Sequence, residues 1–389
     1  MDDVKQRSIK LHEEKRGKLE VKSKVPVNSM EDMTLAYTPG VAEPCLRIAD
    51  DKSLAYKYTN KWNSVAVITD GSAVLGLGNI GALAGMPVME GKAVLFKEFG
   101  DVDAFPIMLD TQDTEEIIKT VKLIAPGFGG INLEDISAPR CFEIEKRLKA
   151  ELDIPVFHDD QHGTAVVVLS GLLNAVKIVD KNIEALKVVI NGAGAAGVAI
   201  TKILLSVGIK DIVVNDRQGI ISKDRPGLNT SKTELSQITN PQNISGGLAE
   251  SLKNRDVFVG VSAANVLTKE MVQTMSDNVI IMAMANPTPE IMPDIAYEGG
   301  AAIVSTGRSD FPNQINNVLA FPGIFRGALD AGANDINEEM KLAAAKALAS
   351  LISEEDLNNK IIIVEPFDPR IKDTVASAVK QAAIDSGVV

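Results

Sequence analysis

Two pairs of adjacent carboxylates, Glu134-Asp135 in INLEDISAP and Asp159-Asp160 in PVFHDDQHGTA, are the residues of this chain best suited to chemistry. Each pair closes a run that reads as a strand, 130–133 and 154–157, with helical sequence between them. Parallel strands joined by a crossover helix bring their carboxyl ends to one edge of a sheet. Oxygen ligands from two such ends suit a hard divalent cation such as Mg²⁺ or Mn²⁺. Acids after strands also cap helices or face water, and the sequence leaves both readings open. His158 and His162 stand four apart like a zinc pair, but the strand-to-turn setting and the lack of a third His or Cys ligand point away from zinc.

The second constellation is made of glycine. VVINGAGAAG places Gly192, Gly194 and Gly197 in G-x-G-x-x-G spacing directly after a short apolar run. The first glycine permits a tight turn, the second lets backbone approach a pyrophosphate, and the third lets the following helix pack on its strand. Gly192, Ala193, Gly194, Ala195, Ala196 and Gly197 therefore form the expected dinucleotide turn, with a helix over 195–207 presenting free N–H groups to an anion. A second strand over 211–215 closes on Asp216, 22 residues after Gly194, where an acid meets a ribose hydroxyl. A competing pattern, Gly76, Gly78 and Gly81 in GLGNIG, lacks a matching second strand and acid and has Pro87 in its would-be helix. It reads as a backbone loop near a substrate.

The elements that must position these residues follow from patterning. Strands are expected at 63–69, 93–96 and 104–109, with Lys92 at the start of the second, and a helix at 113–124. A lysine at a strand start is usually solvated; desolvated in a cleft, it can act as a base. LAYTPGVAEPC, carrying Tyr37, reads as an irregular ordered loop in which packing is the plainer role for the phenol. A helix from Gly163 crosses into the glycine-rich unit, and strands resume at 256–261, 279–284 and 301–305. Asn286 and the Asn316-Asn317 pair then fall at or beyond carboxyl ends of strands, where open α/β sheets hold ligands. Helices over 337–352 and 374–384 complete the chain.

Composition bounds the rest. A formal charge of −12 and a pI near 4.9 argue against nucleic acid or an anionic membrane as partner. Two cysteines make no disulfide framework, and the charged amino terminus is neither signal nor transit peptide, so a cytoplasmic protein is expected. The expected architecture is α/β: an N-terminal α/β unit over 1–160, then a Rossmann-like, doubly wound parallel sheet with C-terminal helices over 161–389.

Taken together and in order, LAYTPGVAEPC, TDGSAVLGLGNIG, EGKAVLFKEF, INLEDI, VFHDDQHGTA, NGAGAAG, ANPTPE and PNQINNVLAFPG resemble the short bacterial-type malic enzymes over nearly the whole length. The resemblance implies oxidative decarboxylation of L-malate to pyruvate and CO₂, with NAD(P)⁺ and Mg²⁺ or Mn²⁺, and decarboxylation of oxaloacetate as a partial reaction. It implies Tyr37 as general acid, Lys92 as general base, Glu134, Asp135 and Asp160 as metal ligands, and Asn286 and Asn317 on the substrate carboxylate, in a homodimer. One departure is visible: the large animal-type enzymes carry a substrate arginine where this chain has Ala73. Asp216 points to NAD by repelling a 2′-phosphate, while Arg217 beside it keeps NADP open. Two other readings are a metal-dependent oxaloacetate decarboxylase without net redox, and a nucleotide-sensing scaffold that has kept the fold. NADH formation from malate excludes the first, and a complete set of Tyr37, Lys92 and the three acids disfavours the second.

Overall fold

A computed structural model describes residues 2–389. Four parallel strands, β1 (Ser64–Thr69), β2 (Asp103–Met108), β3 (Gly130–Leu133) and β4 (Val156–His158), form one sheet in the order β2-β1-β3-β4. Six more, β5 (Lys187–Asn191), β6 (Asp211–Asp216), β7 (Gly219–Ile220), β8 (Val257–Gly260), β9 (Val279–Ala283) and β10 (Ala301–Thr306), form a second in the order β10-β9-β8-β5-β6-β7. All pairings in it are parallel except β6 with β7. This is the doubly wound dinucleotide-binding order, with its switch point between β5 and β8. Among the described residues no helix is long and apolar enough to cross a membrane.

Helix Ala82–Gly100 corrects one expectation. Residues 93–96 are not a strand; they lie inside this helix, so Lys92 sits mid-helix. Its buried positions Gly85, Met89, Ala93, Phe96 and Gly100 recur every three or four residues, a helical period that outweighs the apolar run AVLF and Pro87. Gly100 packs so closely on Pro322 that a Cβ would come 2.9 Å from its carbonyl oxygen.

Helix Asp159–Ile178 starts where β4 ends, four residues before the expected start, and buries fourteen of its 20 residues. Val166, Val168, Leu169 and Leu172 join Val65, Val67, Phe96 and Phe157 of the first sheet's layer to Val188, Ile190 and Ile280 of the second in one apolar cluster. Each such side chain stabilises the fold by roughly 1.5–3 kcal/mol on burial.

Outside this body lies the amino-terminal arm. Helices Met30–Ala36 and Ala42–Asp50 bury no residue, and Met30, Leu35 and Leu46 are exposed. The segment read as an irregular loop is the end of one helix, a turn at 37–41 and the start of the next, with Ser29 and Asp32 forming a capping box at the first.

Candidate active site

The acids at the carboxyl ends of β3 and β4 converge. Glu134, Asp135 and Asp160 offer oxygens that all lie within 4.8 Å of one another. Two local devices bring them together. Asp135 adopts the left-handed region (φ 54°), and its N–H donates to Asp160 Oδ2 at 2.8 Å. Asn132 donates to Glu134 Oε2 at 2.8 Å, orienting that carboxylate. An all-oxygen set with this spacing suits a cation bonded at about 2.0–2.6 Å, long enough for Mg²⁺ or Mn²⁺.

Lys92 reaches the same place from its helix. Its Nζ lies 2.9 Å from Glu134 Oε1 and 2.6 Å from Asp159 Oδ2, and 4.2 Å from the centre of the Phe321 ring. At 11 % side-chain exposure it is not the solvated lysine that its sequence context favoured. Burial pulls its pKa down, but the carboxylates of Asp159 and Glu134 outweigh that and hold it above the ordinary lysine value. Glu134 moves up as well, because burial and the neighbouring Asp160, Asp159 and Asp135 outweigh Lys92. Asp159 is fully buried, and its Oδ2 also accepts from Asn317 at 3.1 Å. Thr164 in turn donates to Asn317 Oδ1, fixing the amide. Asp159 folds back over its own helix, and a Cβ at position 163 would collide with its carboxylate, which explains Gly163 in HDDQHGTA.

Asn286 stands exposed beyond the end of β9, facing the loop of the second glycine pattern: a Cβ on Gly76 would come 2.8 Å from its carbonyl oxygen. Tyr37 is not gathered with these groups. It is 71 % exposed on the amino-terminal arm, and its hydroxyl has no hydrogen-bond partner among the described residues.

The glycine turn after β5 is tightly packed at its first and third glycines. Gly192 has φ +122°, and a Cβ there would strike the Val261 carbonyl; one on Gly197 would strike the Gly192 carbonyl. Gly194, by contrast, faces open space and caps helix Ala195–Ser206 without a side-chain cap, leaving N–H groups free for an anion. Asp216 ends β6 but is already engaged: Arg225 donates to both its oxygens, at 2.9 and 2.5 Å, and Lys232 to one at 2.6 Å. Burial pushes against ionisation, yet these hydrogen bonds hold the carboxyl down at about 2. Arg217 is not among its partners.

Three buried acids, Asp70 (paired with Arg140), Glu290 and Glu145, escaped the sequence reading. Glu290 accepts from Ser262 and Ala285 N–H at 2.8 and 3.0 Å, pinning the ends of β8 and β9 together, and burial raises its pKa. Its signal was present in ANPTPE, without anything to mark the glutamate as buried. Glu145 accepts from His162 Nε2 at 2.8 Å, so the histidine that could mimic a zinc ligand is a hydrogen-bond donor.

A doubly wound sheet with an open glycine turn, beside a cleft that gathers an acid triad and a buried lysine, is the build of a nicotinamide-dependent oxidoreductase. Comparison narrows this. The family model for the malic enzyme N-terminal domain matches residues 16–149, and that for the malic enzyme NAD binding domain matches 161–384. The bifunctional malic/malolactic enzyme of Bacillus subtilis is 58 % identical over 386 residues, 99 % of this chain and 94 % of that protein. The NAD-dependent malic enzyme of Geobacillus stearothermophilus is 60 % identical over 96 % of this chain and 78 % of its own length. The NADP-dependent malic enzyme of Escherichia coli is 48 % identical; all of this chain aligns, spanning 53 % of that longer protein. The crystal structure of the NAD-dependent malic enzyme from Thermotoga maritima superposes with a TM-score of 0.93 at 50 % identity, covering 96 % of this chain and 98 % of that one. The chain belongs to the malic enzyme family.

Proposed function

We propose that this protein oxidatively decarboxylates L-malate to pyruvate and CO₂ while reducing a nicotinamide dinucleotide, and decarboxylates oxaloacetate as a partial reaction. The observation that carries the reading is the convergence of Glu134, Asp135 and Asp160 within 4.8 Å, next to Lys92, in a chain of this family. Those three acids would hold Mg²⁺ or Mn²⁺, which when bound supplies Lewis-acid stabilisation of negative charge on the substrate oxygens. Gly192 to Gly197 would hold the dinucleotide, which accepts the hydride from malate C2. Lys92 passes its own proton to Asp159 Oδ2, 2.6 Å away, and as the neutral amine takes the C2 hydroxyl proton, while Asn317 holds the substrate carboxylate. Asn286 closes the carboxylate pocket from the loop opposite. Residues 1–160 and 161–389 are the two units that contribute these groups.

NAD is the favoured coenzyme, since Asp216 is held ionised where a ribose 2′-substituent would sit. Arg225 and Lys232, which now neutralise it, give a 2′-phosphate a weaker second option. Tyr37 protonates C3 of the enol of pyruvate, and we place it in the site of a second copy. Its arm is exposed, and an open groove of about 460 Å³ lined by Val88, Gly91, Val94, Leu95 and Glu134 lies beside Lys92 to receive it.

The test is NADH and pyruvate formation from L-malate with Mn²⁺, with NADP⁺ as the alternative acceptor and lactate assayed as the alternative product. No reduced coenzyme from malate overturns the reading. For the arm, Tyr37→Phe and Lys92→Ala are each inactive, and mixing them restores roughly a quarter of wild-type activity through hybrid dimers that own one intact site. Recovery of nothing on mixing returns Tyr37 to its own chain.

A further inference from the structure

We propose that Glu145 is a positioning residue that sets the metal affinity and turnover of the site by gripping the back of the helical turn whose front carries Asp159 and Asp160. The inference rests on the metal reading above.

Helix Asp159–Ile178 begins at β4 without a side-chain cap of its own; its N-cap is His158. Such an opening turn leaves its N–H groups unsatisfied and its orientation weakly fixed. The missing anchor comes from another helix. Glu145, on Arg140–Glu151, accepts from the His158 N–H at 3.2 Å, from Gln161 Nε2 at 3.1 Å and from His162 Nε2 at 2.8 Å. Positions 158, 161 and 162 are spaced by three and four, so one carboxylate holds one face of the turn. Asp159 and Asp160 leave the opposite side, toward Lys92 and toward the Asp135 N–H. A negative charge at a helix N-terminus is also favoured by the helix dipole.

The grip is itself fixed from behind. Lys341 Nζ lies 3.2 Å from His162 Nδ1 and 2.5 Å from Glu338 Oε1. A lysine can only donate, so His162 Nδ1 is the acceptor and its proton sits on Nε2, aimed at Glu145. Lys341 thus donates both ways, to Glu338 and to His162, and His162 donates onward to Glu145, along the wall of a cavity of about 700 Å³ between helices Arg140–Glu151, Ala195–Ser206 and Glu338–Ser350. Glu145 is 6 % and Lys341 3 % exposed, so water does not replace either partner freely. Outer partners that orient ligands typically change metal affinity or activity 10- to 100-fold when removed.

The experiment measures Mn²⁺ binding by electron paramagnetic resonance without substrate, NAD⁺ binding by fluorescence, and kcat and KM for malate, on Glu145→Ala and Glu145→Gln. Glu145→Ala is expected to weaken Mn²⁺ about tenfold or more and to lower kcat in parallel, with the NAD⁺ dissociation constant unchanged within about twofold. Glu145→Gln keeps one acceptor oxygen and should recover part of both losses. Lys341→Met, one step removed, should move the same two quantities less. Unchanged Mn²⁺ affinity and kcat in Glu145→Ala, or loss of NAD⁺ binding in step with them, overturns the proposal. Should wild type bind no Mn²⁺, the metal reading fails instead.

Discussion

Lys92→Met separates two properties that usually fall together, metal affinity and turnover. In the folded chain the Lys92 ammonium sits 2.9 Å from Glu134 Oε1 and 2.6 Å from Asp159 Oδ2, so an incoming cation competes with it for Glu134. One such charge pair is worth about 1.4 kcal/mol at the dielectric of water and about 6 at an effective value of 20. A side chain 11 % exposed lies between these limits. Part of that attraction is regained when methionine replaces lysine, because the bound cation neutralises the carboxylate instead. A net gain of roughly 1.4–2.8 kcal/mol corresponds to Mn²⁺ binding about 10- to 100-fold more tightly. Turnover should move the other way, since loss of a positioned proton acceptor costs about 10²–10⁴ in rate. Without a cation, the variant leaves Glu134 and Asp159 buried and uncompensated, so its melting temperature should fall below wild type and recover on adding Mn²⁺. Titration calorimetry and steady-state rates at saturating Mn²⁺ measure both effects. Weaker Mn²⁺ binding by Lys92→Met, or malate oxidation at the wild-type rate, would refute the reasoning.

Three further outcomes are expected. Gly197→Ala should abolish NAD⁺ binding in equilibrium dialysis while leaving Mn²⁺ binding intact, because its Cβ runs into the Gly192 carbonyl; normal NAD⁺ affinity would mean the turn is not the pyrophosphate site. Saturating Mn²⁺ should raise the melting temperature by a few degrees, since occupancy at 100 times the dissociation constant adds about 2.7 kcal/mol, and Asp160→Asn should remove most of that rise. Asp216 is held at about 2, below the ordinary carboxylate, so its contribution is full above pH 4 and is lost as pH falls through about 2. Asp216→Asn should therefore flatten the acid limb of the stability curve in that window by roughly 1–2 kcal/mol, and an unaltered limb would contradict the Arg225 and Lys232 pairing.

What could be read from the sequence follows the range of each signal. The β5 turn and helix Ala195–Ser206 declare themselves because strand, glycines, helix and acid are local and ordered along the chain. The four acids were legible for a similar reason, each pair closing an apolar run. Lys92 was misplaced because AVLF is equally apolar as strand or helix. The deciding period, 85, 89, 93, 96 and 100, is diluted by three glycines and a proline. Glu145 and Glu290 were not legible at all: a lone glutamate in a charged helix or after a proline looks solvated until the partners that bury it are known. The exposed arm is the opposite case. LAYTPGVAEPC reads as an ordered loop in which Tyr37 packs, and nothing local in it says that Leu35 and Tyr37 are left exposed.

The apolar cluster that threads from Val65 and Phe157 through helix Asp159–Ile178 to Val188 and Ile280 has a consequence for how this molecule comes apart. Cutting the polypeptide near residue 159 would part Phe157 from Val166 and Leu169, members of one cluster, so neither fragment should be recoverable alone in a native-like state. Calorimetry of the intact protein should show a single melting endotherm rather than two, with the acid-bearing strands and the coenzyme sheet losing order together.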